Sequence, residues 1–340
     1  MANSNRQILP CYACFVENQG GSHSGLSANS EEKRLLSPFR WKGNDFPPLL
    51  DDKNPPHLEE LKKLNIPYVF DIHSHFFPEI VLKLIWKWFD KVNWEIAYRY
   101  SEEERVKRLH LNEIRRFTTL NYAHKPGMAE WLNEWTHSNY RNWEGAIPFG
   151  TFYPEEGVDR YVKRAVEEYG FKGFKLHCEV SKLDLSRKEL AEVFSYLEKL
   201  SIPLVIHTGN APMPGEFTGI KYFLPFIQRY PDLKVIVAHM GAREIFDYSE
   251  LIDTYPNLYL DTTMVFVDFL ATGEDADDSI PLLEKYQDRI FFGSDFPNIP
   301  YNLSHPIMRI LETNISDEAK RKILWKNGEN LFHSDLVKTL

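Results

Sequence analysis

The sequence predicts a (β/α)8 TIM barrel, residues 67–340, behind an irregular N-terminal extension, residues 1–66. Three observations carry that expectation. Eight short apolar runs follow one another from residue 67 onward, amphipathic segments separate them, and polar residues suited to chemistry recur at the ends of the runs. Parallel strands need long crossovers, usually helical, so eight strands alternating with helices favour a closed barrel. An open doubly wound sheet is the competing arrangement, but no Gly-x-Gly-x-x-Gly follows a run to support a dinucleotide-binding version.

The extension is rich in Ser, Asn, Gly and Pro, notably over Gly20–Ser27 and Pro47–Pro56, and it lacks sustained periodicity. Phe39, Trp41 and Phe46 make it more aromatic than a free linker needs, which suggests packing on the main domain. Cys11 and Cys14 form a single Cys-x-x-Cys, and without a second pair they read as two ordinary thiols.

The runs are Pro67–Ile72, Phe117–Leu120, Ala146–Gly150, Gly173–Leu176, Pro203–Ile206, Lys234–Ala238, Leu258–Asp261 and Ile290–Gly293. Leu204-Val205-Ile206 and Val235-Ile236-Val237 are continuous rather than alternating, as parallel strands covered on both faces require. Between them, Ser186 and Glu189 read as a capping box ahead of a stripe at Leu190, Val193, Phe194, Leu197 and Leu200. Asp159–Glu168 reads as another helix, stopped by Gly170. After the first run, Trp86, Trp88, Phe89, Trp94 and Tyr98 crowd together. They read first as core or subunit contact, and a substrate-pocket wall is the sharper alternative.

Composition narrows the function. At 340 residues, 43% hydrophobic and 26% charged, the chain is that of a folded globular protein. A net charge of -9 argues against nucleic acid as a partner, because phosphate binding normally shows a basic stripe. Three cysteines cannot staple a chain this long, no signal-like segment opens it, and no apolar stretch approaches a membrane span. The expectation is a cytoplasmic protein acting on a small-molecule substrate, with no membrane partner; the fold and the aromatic surplus suggest a homodimer.

In a barrel of this kind the active site lies at the C-terminal ends of the strands. Asp71-Ile72-His73-Ser74-His75 closes the first strand, and alternation turns His73 and His75 to the same side. His207 ends the fifth strand, His239 the sixth and Asp295 the eighth. A lone histidine after an apolar run is most often a satisfied core or surface residue. Four of the 12 histidines and an aspartate at equivalent strand ends form a pattern that chance seldom produces. A divalent ion held by His73, His75, His207 and Asp295 would be zinc by preference, with manganese, iron and cobalt compatible. It would activate a bound water, with Asp295 and His239 as the acid–base residues. Second-tier candidates in the loops are His124, Tyr153, Arg243, Asn298 and Tyr301, each more readily explained by solvent exposure or helix capping. Arg243 stands out among them, since a guanidinium can grip a substrate carboxylate with two bonds.

His73-Ser74-His75, Gly173-Phe174-Lys175-Leu176-His177, Ile206-His207-Thr208-Gly209, Ala238-His239-Met240-Gly241 and Gly293-Ser294-Asp295-Phe296-Pro297 together resemble the amidohydrolase superfamily, in particular its amidohydrolase-related group. The resemblance runs from about residue 67 to Phe332, where Asn330-Leu331-Phe332 is similar to the closing helix of that group. It implies His73, His75, His207 and Asp295 at or near the metal, and His239 as catalytic in one-metal members or a ligand in two-metal ones. Lys175 corresponds to a lysine that is carbamylated in binuclear relatives. Alternatively it stays an ammonium that binds a substrate carboxylate, and His177, on the same face, is a further substrate-binding candidate. One metal is expected rather than two. The group holds both hydrolases and non-oxidative decarboxylases such as aminocarboxymuconate semialdehyde decarboxylase. Hydrolysis of a C–N or C–O bond is the first expectation, because activated water is what such a centre most directly supplies. Decarboxylation of an aromatic or unsaturated acid is the alternative.

Overall fold

Continuous apolar strands need cover on both faces, and the chain supplies it by curling eight of them into a ring with helices outside. The computed structural model describes residues 40–42, 54–92, 94–270 and 276–336. The barrel strands are β1 Val69–Asp71, β2 Ile114–Thr119, β3 Ala146–Thr151, β4 Gly173–His177, β5 Leu204–His207, β6 Val235–Val237, β7 Leu258–Asp261 and β8 Ile290–Phe291. Each pairs in parallel with the next, from β1 through to β8. Backbone bonds close the ring: the Ile72 N–H donates to the Phe292 carbonyl at 3.0 Å and the Asp295 N–H to that of His73 at 2.9 Å. All eight expected runs are strands. The second starts three residues earlier than its apolar stretch, because Arg115 and Arg116 face outward beside Ile114 and hide the pattern.

Phe70, Ile72, Phe149, Val205, Ile236 and Phe291 fill the barrel interior. The last helix, Asn327–Leu336, plugs it from below by stacking Phe332 on Phe70, ring centroids 5.8 Å apart. Close packing shows at β4: a Cβ added to Gly173 would stand 2.3 Å from the Phe149 ring and 2.8 Å from the Pro203 carbonyl. Gly173→Ala should therefore destabilise the fold by ~1–3 kcal/mol, the usual cost of overpacking. A urea melt with an unshifted midpoint would show that the strand yields freely.

The helix Val158–Glu167 buries Val158, Tyr161, Val162 and Ala165 at helical spacing, and Gly170 leaves it with φ of 70°. Ala191–Lys199 also follows its stripe, but the expected capping box does not form. Asp184 takes the Ser186 N–H and Arg187 pairs with the Glu189 carboxylate, so both partners are engaged elsewhere. The extension contains an unexpected helix, His57–Lys63, whose His57 Nε2 lies 2.9 Å from the Asn112 carbonyl. Further upstream, Arg40–Trp41 pairs antiparallel with Phe269–Leu270, and Trp41 meets the Phe269 ring edge-on at 5.3 Å. Cys11, Cys14, Phe39 and Phe46 lie outside the described residues. Among the described residues, no helix is long and apolar enough to cross a membrane.

Candidate metal centre

The first strand leaves the barrel at Asp71, and the next four residues bring both His73 and His75 inward, where they are buried. Asp295, just past β8, adopts φ of 66°, a conformation costly for a residue with a Cβ and common where a site dictates the backbone. Its Oδ1 lies 3.0 Å from His75 Nε2 and 3.4 Å from His73 Nε2. The donor atoms of these three residues all fall within 4.8 Å of one another.

Asp261, at the end of β7, is a site residue that the sequence did not single out. It is fully buried; its Oδ2 lies 2.9 Å from His73 Nδ1, and its Oδ1 accepts the backbone N–H groups of His239 and Thr263 at 2.9 and 3.1 Å. A ring nitrogen facing a buried carboxylate carries the proton, so His73 keeps its lone pair on Nε2, toward Asp295. Burial, reinforced by Lys175, pushes His73 down to about 3, which leaves the imidazole neutral. Burial alone would raise the Asp261 and Asp295 carboxyls, but the surrounding histidines hold both below the usual carboxylate range. Asp71 braces the same turn, accepting the backbone N–H groups of His73 and Ser294. Asp261→Asn keeps the shape but offers an NH2 to His73, which would move the ring proton to Nε2. Metal affinity should fall roughly 10–100-fold, as losses of such partners do. Competition with a chelating dye measures this, and unchanged affinity would reject the tautomer argument.

Lys175 projects from β4 into the centre, fully buried, with Nζ 3.3 Å from His73 Nε2. Burial lowers it to about 8 against the pull of Asp261 and Asp295. His239 has φ of 56°, and its Nδ1 lies 2.9 Å from the Thr263 carbonyl, so Nδ1 carries the proton and Nε2 is the open nitrogen. Its ring centroid is 5.1 Å from that of His73. His207 is buried beside these groups but lies outside the cluster of three donors, and its Nε2 is bonded to the Ala211 carbonyl at 2.9 Å. Its ring stacks on His177 at 3.9 Å, and His177 Nδ1 accepts the Val180 N–H at the head of a short helix, Cys178–Ser181. Burial keeps His177 and His207 well below their ordinary range.

These groups form the floor of a cavity of about 920 Å³, counting the space at its mouth. Trp88, Phe89, Trp94, Tyr122, Met213 and Met264 wall it, so part of the aromatic cluster after β1 is a pocket wall after all. Trp86 and Tyr98 serve that wall from behind: Trp86 Nε1 donates to Asn298 Oδ1 at 3.3 Å, and Tyr98 Oη accepts the Leu303 N–H. Asn298 lines the cavity, as does Glu179, whose carboxyl burial raises to about 7. Arg243 is exposed and is not part of the lining; its guanidinium reaches the carbonyl of Pro212, at the rim. His124, Tyr153 and Tyr301 also lie outside the lining.

A neutral imidazole with its second nitrogen held by a carboxylate, another imidazole and an ionised aspartate make a donor set suited to zinc, manganese, iron or cobalt. The residues therefore fit a divalent ion.

Residues 70–333 match the family model described as amidohydrolase. A gamma-resorcylate decarboxylase from Polaromonas sp. is 31% identical over 217 residues, which is 51% of this chain. The match spans 65% of that relative's length, just under two thirds. Among solved structures, an uncharacterised TIM-barrel protein from Bordetella bronchiseptica has a TM-score of 0.61 at 18% identity, covering 78% of this chain and 99% of that one. A 5-carboxyvanillate decarboxylase from Novosphingobium aromaticivorans, complexed with manganese and 4-hydroxy-3-methoxy-5-nitrobenzoic acid, has a TM-score of 0.57 at 16% identity, covering 78% and 96%. At such identities the structural likeness speaks for the fold alone.

Proposed function

We propose, from the premise that this chain belongs to the amidohydrolase family, that it is a metal-dependent, non-oxidative decarboxylase of an aromatic carboxylic acid. The observation that carries the reading is Lys175, a buried cation beside the metal donors on the floor of an aromatic-walled cavity. The 31% identical relative, a decarboxylase, supports it. Hydrolysis, the first expectation from sequence, needs the same metal donors but gives no reason for an aromatic wall.

His73, His75 and Asp295 would hold the ion, with His207 beside them, its Nε2 bonded to the Ala211 carbonyl. When bound, the metal supplies positive charge that anchors the substrate and stabilises negative charge developing on it. Lys175 pairs with the substrate carboxylate, and Trp88, Phe89 and Trp94 fix the ring plane and exclude water. His239 Nε2 accepts the proton of a ring hydroxyl and returns it to the ring carbon as carbon dioxide leaves. The electron pair of the broken C–C bond stays on that carbon and receives the proton; solvent restores the hydroxyl. The test is carbon dioxide release by metal-loaded protein from a panel of hydroxybenzoates and carboxyvanillates, alongside amides and lactones. Release from at least one aromatic acid is expected. Turnover confined to amides or lactones would return the chain to the hydrolases.

A further inference from the structure

We propose that Glu179 forms a recognition subsite for a hydrogen-bond donor, a ring amino or hydroxyl group, carried by the substrate away from its carboxylate. The inference rests on the decarboxylase reading for the placement of that carboxylate. Glu179 follows β4 by two residues, in the first turn of Cys178–Ser181. Lys175, on the same strand, holds the substrate carboxylate at the cavity floor, and Glu179, past the strand's C-terminal end, lines the cavity nearer its mouth, where the rest of the ring lies.

Glu179 lines the same cavity as several apolar side chains. Trp88, Phe89, Val180 and Met213 share the wall with it, and among the described residues it makes no hydrogen bond or ion pair. A half-buried carboxyl without a partner is costly, and an incoming donor removes that cost. The rise to about 7 reflects the same burial, which outweighs the nearby Lys182.

The position is also braced from outside. Gly215 packs so tightly that a Cβ there would lie 3.0 Å from both Cα and Cγ of Glu179. Its loop is tied down in turn: the Gly215 N–H donates to Thr218 Oγ1 at 2.8 Å, Thr218 Oγ1 donates to Asn210 Oδ1 at 2.8 Å, and Asn210 Nδ2 donates to Glu244 at 2.8 Å. A carboxyl held in this way can accept from an amine or a hydroxyl. Ionised, above about pH 7, it rejects a second carboxylate by like charge and gains nothing from a methoxy group.

The experiment uses the metal-loaded full chain and its tryptophan fluorescence, since Trp88 and Trp94 line the cavity. The probes are 2-hydroxybenzoates with an amino, methoxy or carboxyl group at ring position 4 or 5. The better amino probe should bind about 10-fold or more tighter than its methoxy and carboxyl counterparts, the scale of a hydrogen bond to a charged group. Glu179→Ala should shrink that preference to less than about 2-fold, while Glu179→Gln, which keeps an acceptor oxygen, should retain part of it. Equal binding of all probes to wild type, no binding of any, or a preference that survives Glu179→Ala overturns the subsite. Carbon dioxide release is scored separately: equal binding of the probes to wild type with turnover intact sinks the subsite alone, and a wild-type preference abolished by Glu179→Ala without turnover sinks the decarboxylase reading alone.

Discussion

Protein carrying Asp295→Asn, purified without added metal, is expected to contain almost none, whereas the wild type holds about one equivalent of a divalent ion. The amide preserves size, and asparagine tolerates the left-handed conformation at φ 66° better than most residues. What is lost is the charge that faces His75 at 3.0 Å and His73 at 3.4 Å. The affinity loss should exceed the ~10–100-fold typical of removing an outer partner, because Asp295 is itself a donor. Turnover should fall with the metal. His73→Ala, which removes the imidazole that Asp261 orients, should behave alike. Elemental analysis of the three proteins decides the matter, and equal metal in all of them would remove the basis for the site.

Lys175→Met is the second large effect. The side chain is fully buried, so methionine of similar length can fill its volume. No buried cation then remains at that point to receive a carboxylate. Losing one partner of such a pair costs ~2–5 kcal/mol, so kcat/KM should drop at least 30-fold while metal content stays at about one equivalent. The metal measurement also separates the two roles that sequence left open for this residue. If wild type carries two equivalents and the variant one, the lysine is a carbamylated bridge and not an ammonium. Steady-state kinetics with the best aromatic acid, read beside elemental analysis, tests both.

Much of this was legible beforehand because barrel strands and their ends follow simple rules. Val235-Ile236-Val237 can hardly be anything but a strand covered on both faces, and His239 then falls at its end by counting. His73 and His75 were equally plain from alternation. Asp261 was not, since an aspartate closing Leu258–Asp261 has no spacing relation to His73 or His239, and only the closed ring brings them together. For the same reason sequence could assign His207 to the centre but could not foresee that a carbonyl four residues on, in Ala211, would take its Nε2. The aromatic cluster after β1 read as core because tryptophan and phenylalanine suit a core and a cavity wall alike. The choice between hydrolysis and decarboxylation was illegible on chemical grounds: one donor set serves both, and the difference lies in what surrounds it.

The short pairing of Arg40–Trp41 with Phe269–Leu270 bears on how the cavity keeps its shape. Phe269 sits between two indoles, with Trp41 on one side and Trp94 of the cavity lining at 4.8 Å on the other. Lys42 fastens the arrangement by donating its N–H to Asp268 at 2.6 Å and by pairing with Asp277. Residues that look like a dispensable tail thus act as a buttress for the room in which an aromatic ligand would lie. A chain trimmed past Lys42 would keep its eight staves and lose the tightness of one wall.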